Sequence, residues 1–303
     1  MRNTDEAERQ RVLDMYRIVD TLPESAYQDI VQLASTLCDT PIALLTLIDR
    51  DRQWFKASHG LDGTQTRRED AFCARAIEAP SDLMEVPDAQ QDPRFLANPY
   101  VTGAPHVRFY AGMPLVAPGG EAMGTVCVID EVPRRLDDRQ RRGLAALSRL
   151  TMTLLDARVH ERELERAVAF AESAAAHPGE PFTVMILQAQ GTPDAVARMG
   201  DRAVERQLQA LEQRLGAVLK AGSGDSVNRT TDSPDFIAVL HSGASETEHR
   251  LRECAETFTR DSGMAVLSAS ARAETPDDRI ELVYLRADEA LTRIKDEAAA
   301  TPA

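Results

Sequence analysis

Apolar residues near the start of the chain recur at steps of three and four. Val12, Met15, Tyr16, Val19 and Leu22 fit one helical face, and Pro23-Glu24 opens a second helix that runs through Leu37. Residues 41–48 form a short, nearly unbroken apolar run, the pattern of a buried strand. The charged turn Asp49-Arg50-Asp51-Arg52 follows, and residues 53–58 return as a second strand, which completes a hairpin. A short helix is predicted over 70–77. Residues 80–105, rich in Pro, Asp and Asn, read as irregular. Strands at 107–116 and 123–129 flank the turn Pro118-Gly119-Gly120. These elements predict an α+β layer structure, an antiparallel sheet flanked by helices.

Residues 137–176 carry one long helical pattern. Leu147, Leu150, Leu154, Ala157, Glu161, Leu164, Val168, Ala171 and Ala175 alternate steps of three and four, a heptad seam with one charged position at Glu161. About 40 residues at 1.5 Å each reach roughly 60 Å, longer than a small domain. The pattern predicts a parallel homodimer through residues 144–175, and His177-Pro178-Gly179 ends the helix. The remainder alternates as strand 182–187, helix 194–220, strands 226–229 and 236–240, helix 246–259, strand 264–270 and helix 278–298. The order β-α-β-β-α-β is the split, ferredoxin-like arrangement with an added terminal helix. The predicted domains are 1–155, a connecting helix at 137–176, and 177–303.

Composition removes whole classes of function. With 43% hydrophobic and 28% charged residues the chain is globular rather than disordered. The net charge of -14 disfavours nucleic acid and anionic membrane as partners. Residues 177–303 carry 14 basic and 21 acidic side chains, so neither half is a basic patch. Cys38, Cys73, Cys127 and Cys254 contain no CxxC spacing, which argues against a disulfide framework or a zinc module and fits a reducing compartment. The acidic N-terminus has no apolar core and no run approaches membrane length, so the expected location is the cytoplasm. His59, His160, His177, His241 and His249 show no metal-ligand spacing and read as solvated; no metal or cofactor is expected.

Five blocks then suggest a family. They are 47–56 with Asp49, Trp54 and Lys56; Phe72-Cys73-Ala74-Arg75-Ala76-Ile77; 86–95 with Asp88, Asp92 and Arg94; Arg108-Phe109-Tyr110-Ala111-Gly112-Met113-Pro114-Leu115; and Gly124-Thr125-Val126-Cys127-Val128-Ile129-Asp130. Together, over about residues 20–155, they resemble the bacterial GAF sensor domain. The resemblance implies a small-molecule pocket in which Trp54, Cys73, Arg75, Asp88, His106, Arg108 and Tyr110 are the candidate contacts. On it, the Trp54 hairpin and the 108–115 strand share the ligand side, with the helix at Cys73 and the loop at 88–100 as a lid. The bland alternatives are a buried small Cys73, a core Cys127, a packed Trp54 and a capping Asp92.

Residues 165–299 resemble the GGDEF, diguanylate cyclase domain in its skeleton only. Arg286-Ala287-Asp288-Glu289-Ala290-Leu291 matches that family's last helix, Gly200 and Leu208 its first, and Phe236-Ile237-Ala238-Val239-Leu240 the strand after its signature hairpin. The family joins two GTP molecules on Mg²⁺ held by acidic side chains, because hard cations demand carboxylate oxygens. Here Gln188 and Gln190 stand at the paired acids, Thr192 and Pro193 at the Phe-Lys pair, and Val196 and Ala197 at the guanine contacts. Val204 and Glu205 replace a Gly-Asp pair. The hairpin reads Arg229-Thr230-Thr231-Asp232-Ser233-Pro234-Asp235, without the paired glycines that admit phosphate. The inhibitory box keeps Asp225 and has Gly222 in place of its arginine.

The resemblance therefore implies a degenerate cyclase and a non-catalytic signalling protein. A GAF domain senses a small molecule or redox state, a coiled coil pairs two copies, and the second domain relays the state to a partner. The competing readings are an active diguanylate cyclase, a module that holds nucleotide without turnover, and a methionine-sulfoxide-reducing enzyme of the GAF type.

Overall fold

A computed structural model describes residues 6–300 apart from 178, 221, 232, 242, 243, 276 and 277. The chain divides into two compact units. One comprises Met1–Val19 and Pro23–Val159, the other Asp20–Leu22 and His160–Ala303. Among the described residues no helix is long and apolar enough to cross a membrane.

The first unit opens with helices α1 (Glu6–Tyr16) and α2 (Ser25–Cys38). α1 stops earlier than its apolar spacing predicts, because Arg17 and Asp20 take left-handed backbone, with φ of 48° and 62°. Strands β1 (Ile42–Ile48), β2 (Arg52–His59), β3 (Gln65–Arg67), β4 (Met84–Val86), β5 (Phe109–Val116) and β6 (Ala122–Asp130) form one sheet in the order β3-β2-β1-β6-β5-β4. Every described pairing is antiparallel. β3, β4 and the short helix α4 (Pro99–Thr102) lie in stretches where apolar spacing predicts no element. β3 and β4 have three residues each, too short for a period-2 signal, and pairing to β2 and β5 is what makes them strands.

Strand alternation sorts the unit's apolar side chains into two cores, one on each face. Ala43, Leu45, Leu47, Trp54, Phe109, Ala111, Val126 and Val128 join α1, α2 and the long helix. Ile42, Leu44, Ile48, Phe55, Tyr110, Cys127 and Ile129 join the short helix α3 (Phe72–Ala76), with Phe95 and Val101 from the loop.

Helix α5 (Asp138–Ala176) has 39 residues. Its Leu144, Thr151 and Leu155 are buried in the first unit, where Leu147 and Leu154 also pack against the core. Leu150, Leu164 and Val168 are 48%, 56% and 60% exposed. The heptad seam is thus divided, with Leu147 and Leu154 used inside the domain and Leu150, Ala157, Glu161, Leu164, Val168 and Ala171 open to solvent.

In the second unit, β7 (Thr183–Ala189), β8 (Ser226–Arg229), β9 (Asp235–Leu240) and β10 (Val266–Arg272) form a sheet in the order β10-β7-β9-β8. All three pairings are antiparallel, which is the ferredoxin-like topology. Helices α6 (Thr192–Met199), α7 (Asp201–Val218), α8 (Ala244–Ser262) and α9 (Ile280–Ala300) complete the unit. One helix predicted over 194–220 is two, because Gly200 at φ +84° turns the backbone between α6 and α7.

Candidate functional sites

On the α3 side of the first sheet, two cysteines meet. Cys73 of α3 and Cys127 of β6 place their sulfurs 3.7 Å apart, and the Tyr110 hydroxyl donates to Cys73 Sγ at 3.3 Å. The facing hydroxyls of Thr46 and Thr125, cross-strand partners on β1 and β6, are 3.3 Å apart beside them. All four strand residues fall on one side because 125 and 127 have one parity and pair with 46 and 44. Burial pushes the Cys73 thiol up, but hydrogen bonds from Cys127, Thr125, Thr46 and Tyr110 outweigh it and bring it down to about 6. Cys127 moves the opposite way. Its hydrogen bond to Cys73, and then burial, hold it well above the ordinary thiol range. The two thiols are therefore shifted in opposite directions, Cys73 down and Cys127 up.

Around the sulfurs the face is filled with rings. Phe72 stacks on Phe95 at 4.0 Å and on Tyr110 at 5.2 Å, and all three are buried. Several expected pocket contacts lie elsewhere. Trp54 is on the opposite face: it pairs across from Leu47, shares that strand parity, and packs with the α2 core. Phe55, its neighbour, is the aromatic of this hairpin that faces α3. Arg108 turns one guanidinium nitrogen, Nη1, onto the carbonyls of Val101, His106 and Val107, each at 3.0 Å, and so clamps the loop instead of facing a ligand. Arg75 is exposed and pairs with Glu78 at 3.0 Å. Asp88 accepts from Gln90 N and Gln91 Nε2, a turn cap, and His106 is exposed. Of the seven predicted contacts only Cys73 and Tyr110 come together. Thr46, Thr125 and Cys127 join them, and only a known sheet register could have shown that.

This two-faced antiparallel unit matches a known family. Residues 22–155 match the GAF domain. A cyclic di-GMP phosphodiesterase of Pseudomonas aeruginosa is 44% identical over 157 residues, which are 52% of this chain and 26% of that protein. The chain therefore spans about a quarter of that relative's length. Among solved structures, a microbial GGDEF domain described in a novel interaction with cyclic di-GMP is 27% identical over 45% of this chain and 86% of its own, with a TM-score of 0.39. The GAF domain of an Acinetobacter phosphoenolpyruvate-protein phosphotransferase is 15% identical over 55% and 99% of the two chains, with a TM-score of 0.36. The chain resembles a GAF domain followed by a GGDEF-like domain.

In the GGDEF-like unit the degenerate positions lie on the ends of β7 and β9. Gln188 and Asp235 are cross-strand partners, both buried, and Gln188 Nε2 donates to Asp235 Oδ1 at 2.6 Å. Gln190 Nε2 donates in turn to Gln188 Oε1 at 2.9 Å. The retained carboxylate therefore accepts from one neutral amide, which a second amide holds in turn. Arg229 closes the hairpin: it grips Glu205 with two bonds of 2.8 and 2.9 Å and donates to the Ser233 carbonyl at 2.7 Å. That bidentate contact holds the Glu205 carboxyl below its usual range. Val196 of α6 packs against the core and Ala197 is exposed. Asp225 accepts from the His241 backbone at 2.8 Å. Asp232 lies outside the described residues.

The solvated reading of the histidines fails at one place. His241 is 7% exposed, and its ring centroid lies 4.3 Å from that of His177. Sixty-three residues separate the two in the chain, so no local spacing announces the pair.

Proposed function

We propose that this chain is a signalling protein without catalytic turnover in a cyclic di-GMP pathway, with the GAF unit as input and the GGDEF-like unit as relay to a partner protein. The observation that carries the reading is the Gln188–Asp235 bond. Joining two GTP molecules needs carboxylate oxygens on Mg²⁺ to offset phosphate charge. Here the one acid that remains on these strands is engaged by an amide, and Arg229 ties the adjoining hairpin to Glu205. The relative from Pseudomonas, named for cyclic di-GMP, supports the pathway class.

A second observation favours a redox input over a small-molecule one. The expected ligand side is occupied by Phe72, Phe95 and Tyr110, and beside them lies a thiol pair 3.7 Å apart. The exposed residues Leu150, Ala157, Leu164, Val168 and Ala171 of α5 keep heptad spacing, which supports pairing with a second chain.

The test is turnover by the purified full chain. Incubated with GTP and Mg²⁺ or Mn²⁺, it forms no cyclic di-GMP above a heat-treated control, and added cyclic di-GMP stays intact. Sustained synthesis or hydrolysis overturns the reading.

A further inference from the structure

The second unit contains a cluster of His177, Glu180 and His241, none of which is a degenerate cyclase position. His177 follows the end of α5, Glu180 lies one turn on, and His241 follows β9. One ligand-type atom from each lies within 4.8 Å of the others, and His177 Nδ1 is 3.5 Å from Glu180 Oε2. The cluster borders a surface cavity of about 300 Å³ lined also by Phe170, Gly179 and Asp278.

Two buried atoms at this place lack partners among the described residues. His241 Nδ1 has none, although His241 is more than nine-tenths buried; nor has Asp225 Oδ2, whose sister oxygen accepts from the His241 backbone. An unpartnered buried imidazole nitrogen is costly and a bound cation satisfies it, while the unpartnered Asp225 oxygen adds negative charge nearby. The other ring nitrogen, Nε2, is 2.9 Å from the Ser173 hydroxyl. When Nε2–H donates to Ser173, the Nδ1 lone pair is left available to a metal, as where metal-binding histidines are held by an outer partner. His177 fits against this site because Gly224, at φ +77°, has no side chain to displace its ring.

We infer that His177, Glu180 and His241 form a site for a zinc-class divalent cation, with Asp225 supplying outer-shell charge. Two imidazoles and a carboxylate are the donor set of borderline metals, not of Mg²⁺ or Ca²⁺, which prefer all-oxygen shells. Bonds of roughly 2.0–2.2 Å in a tetrahedral site bring ligand atoms to about 3.5 Å apart. Closing from the present spread is therefore a movement of roughly 1 Å, and it falls to His177 and the exposed Glu180 in a short turn. Occupied, the site fastens the end of α5 to the end of β9 within the same unit.

The inference is independent of the signalling reading. Metal-free full-length protein is titrated with Co²⁺, and the visible absorption of tetrahedral cobalt is followed, then displaced with Zn²⁺. The expected result is one equivalent bound, a weakening of at least about 100-fold in His241→Ala and in His177→Gln, and about 10–100-fold in Asp225→Asn. His249→Ala, which removes an exposed histidine paired with Glu253, leaves binding unchanged. No tetrahedral signal in the parent protein overturns the site. So does a signal that survives in His177→Gln, a substitution at a part-exposed position that spares the fold if His241→Ala does not.

Discussion

Replacing Gln188 by Asp restores the acid that a cyclase would carry, and the structure sets what that costs. Gln188 and Asp235 are 6% and 5% exposed, and the amide now donates to the carboxylate at 2.6 Å. The substitution removes a hydrogen bond to an ionised acceptor, about 1.5–3 kcal/mol. It also sets two buried carboxylates side by side. Their repulsion is capped, because one can take a proton. Protonating a carboxyl of ordinary pKa at pH 7 costs about 4 kcal/mol, and the proton then bridges the pair. Because the bridging proton replaces the lost hydrogen bond, the expected loss is capped at about 2–4 kcal/mol at pH 7. At roughly 2–4 °C per kcal/mol, the melting transition of the second unit falls by about 4–16 °C. The pair's folded pKa is raised above the unfolded value, so the penalty is absent below about pH 4 and grows as pH rises through the folded value. The assay is thermal unfolding by circular dichroism at pH 5 and 7, with Gln188→Asn as the neutral control and millimolar Mg²⁺ as a further arm. Mg²⁺ leaves the parent unmoved and raises the Asp variant. An Asp variant that melts within about 1 °C of the Asn variant at pH 7 refutes the buried amide–carboxylate contact.

Glu24 accepts from Lys56 at 2.7 Å and from Arg158 at 2.9 Å, while Lys56 is wholly buried as a side chain; Glu24→Gln is expected to destabilise the first unit by about 3–5 kcal/mol in denaturant unfolding, and Glu24→Gln with Lys56→Met to recover most of it. Hydrogen peroxide is expected to take two hydrogens from Cys73 and Cys127, joining the sulfurs and releasing two waters, so intact mass falls by about 2 Da and peptide mapping links 73 to 127. In Cys127→Ser the reaction stops at a trappable sulfenic acid on Cys73, and linkage through Cys38 or Cys254 instead defeats the assignment. Leu164→Glu with Val168→Glu is expected to give monomers by light scattering at tens of micromolar without loss of helix, whereas Leu154→Glu, packed on the first core, unfolds that unit; a parent chain that is already monomeric contradicts the pairing.

The sequence by itself determined the elements with long periodic signals. The hairpin at 41–58, the strands ending at Val116 and Asp130, the 39-residue helix and the β-α-β-β-α-β order all follow from apolar spacing, because burying one face fixes a period of 2 or 3.6. The replacement of acids by Gln188 and Gln190 was legible too, since it concerns residue types at matched positions. Facing was not. Trp54 and Phe55 are adjacent in sequence, and only the register against Leu47 decides which of them turns toward Cys73. The division of the heptad seam into buried Leu147 and Leu154 and exposed Leu164 and Val168 depends on which stretch of helix has a sheet beneath it. The tertiary structure alone decided the chemistry of groups distant in the chain. Cys73 meets Cys127, Gln188 meets Asp235, and His177 meets His241, because strand pairing and helix packing set those contacts and no local spacing encodes them.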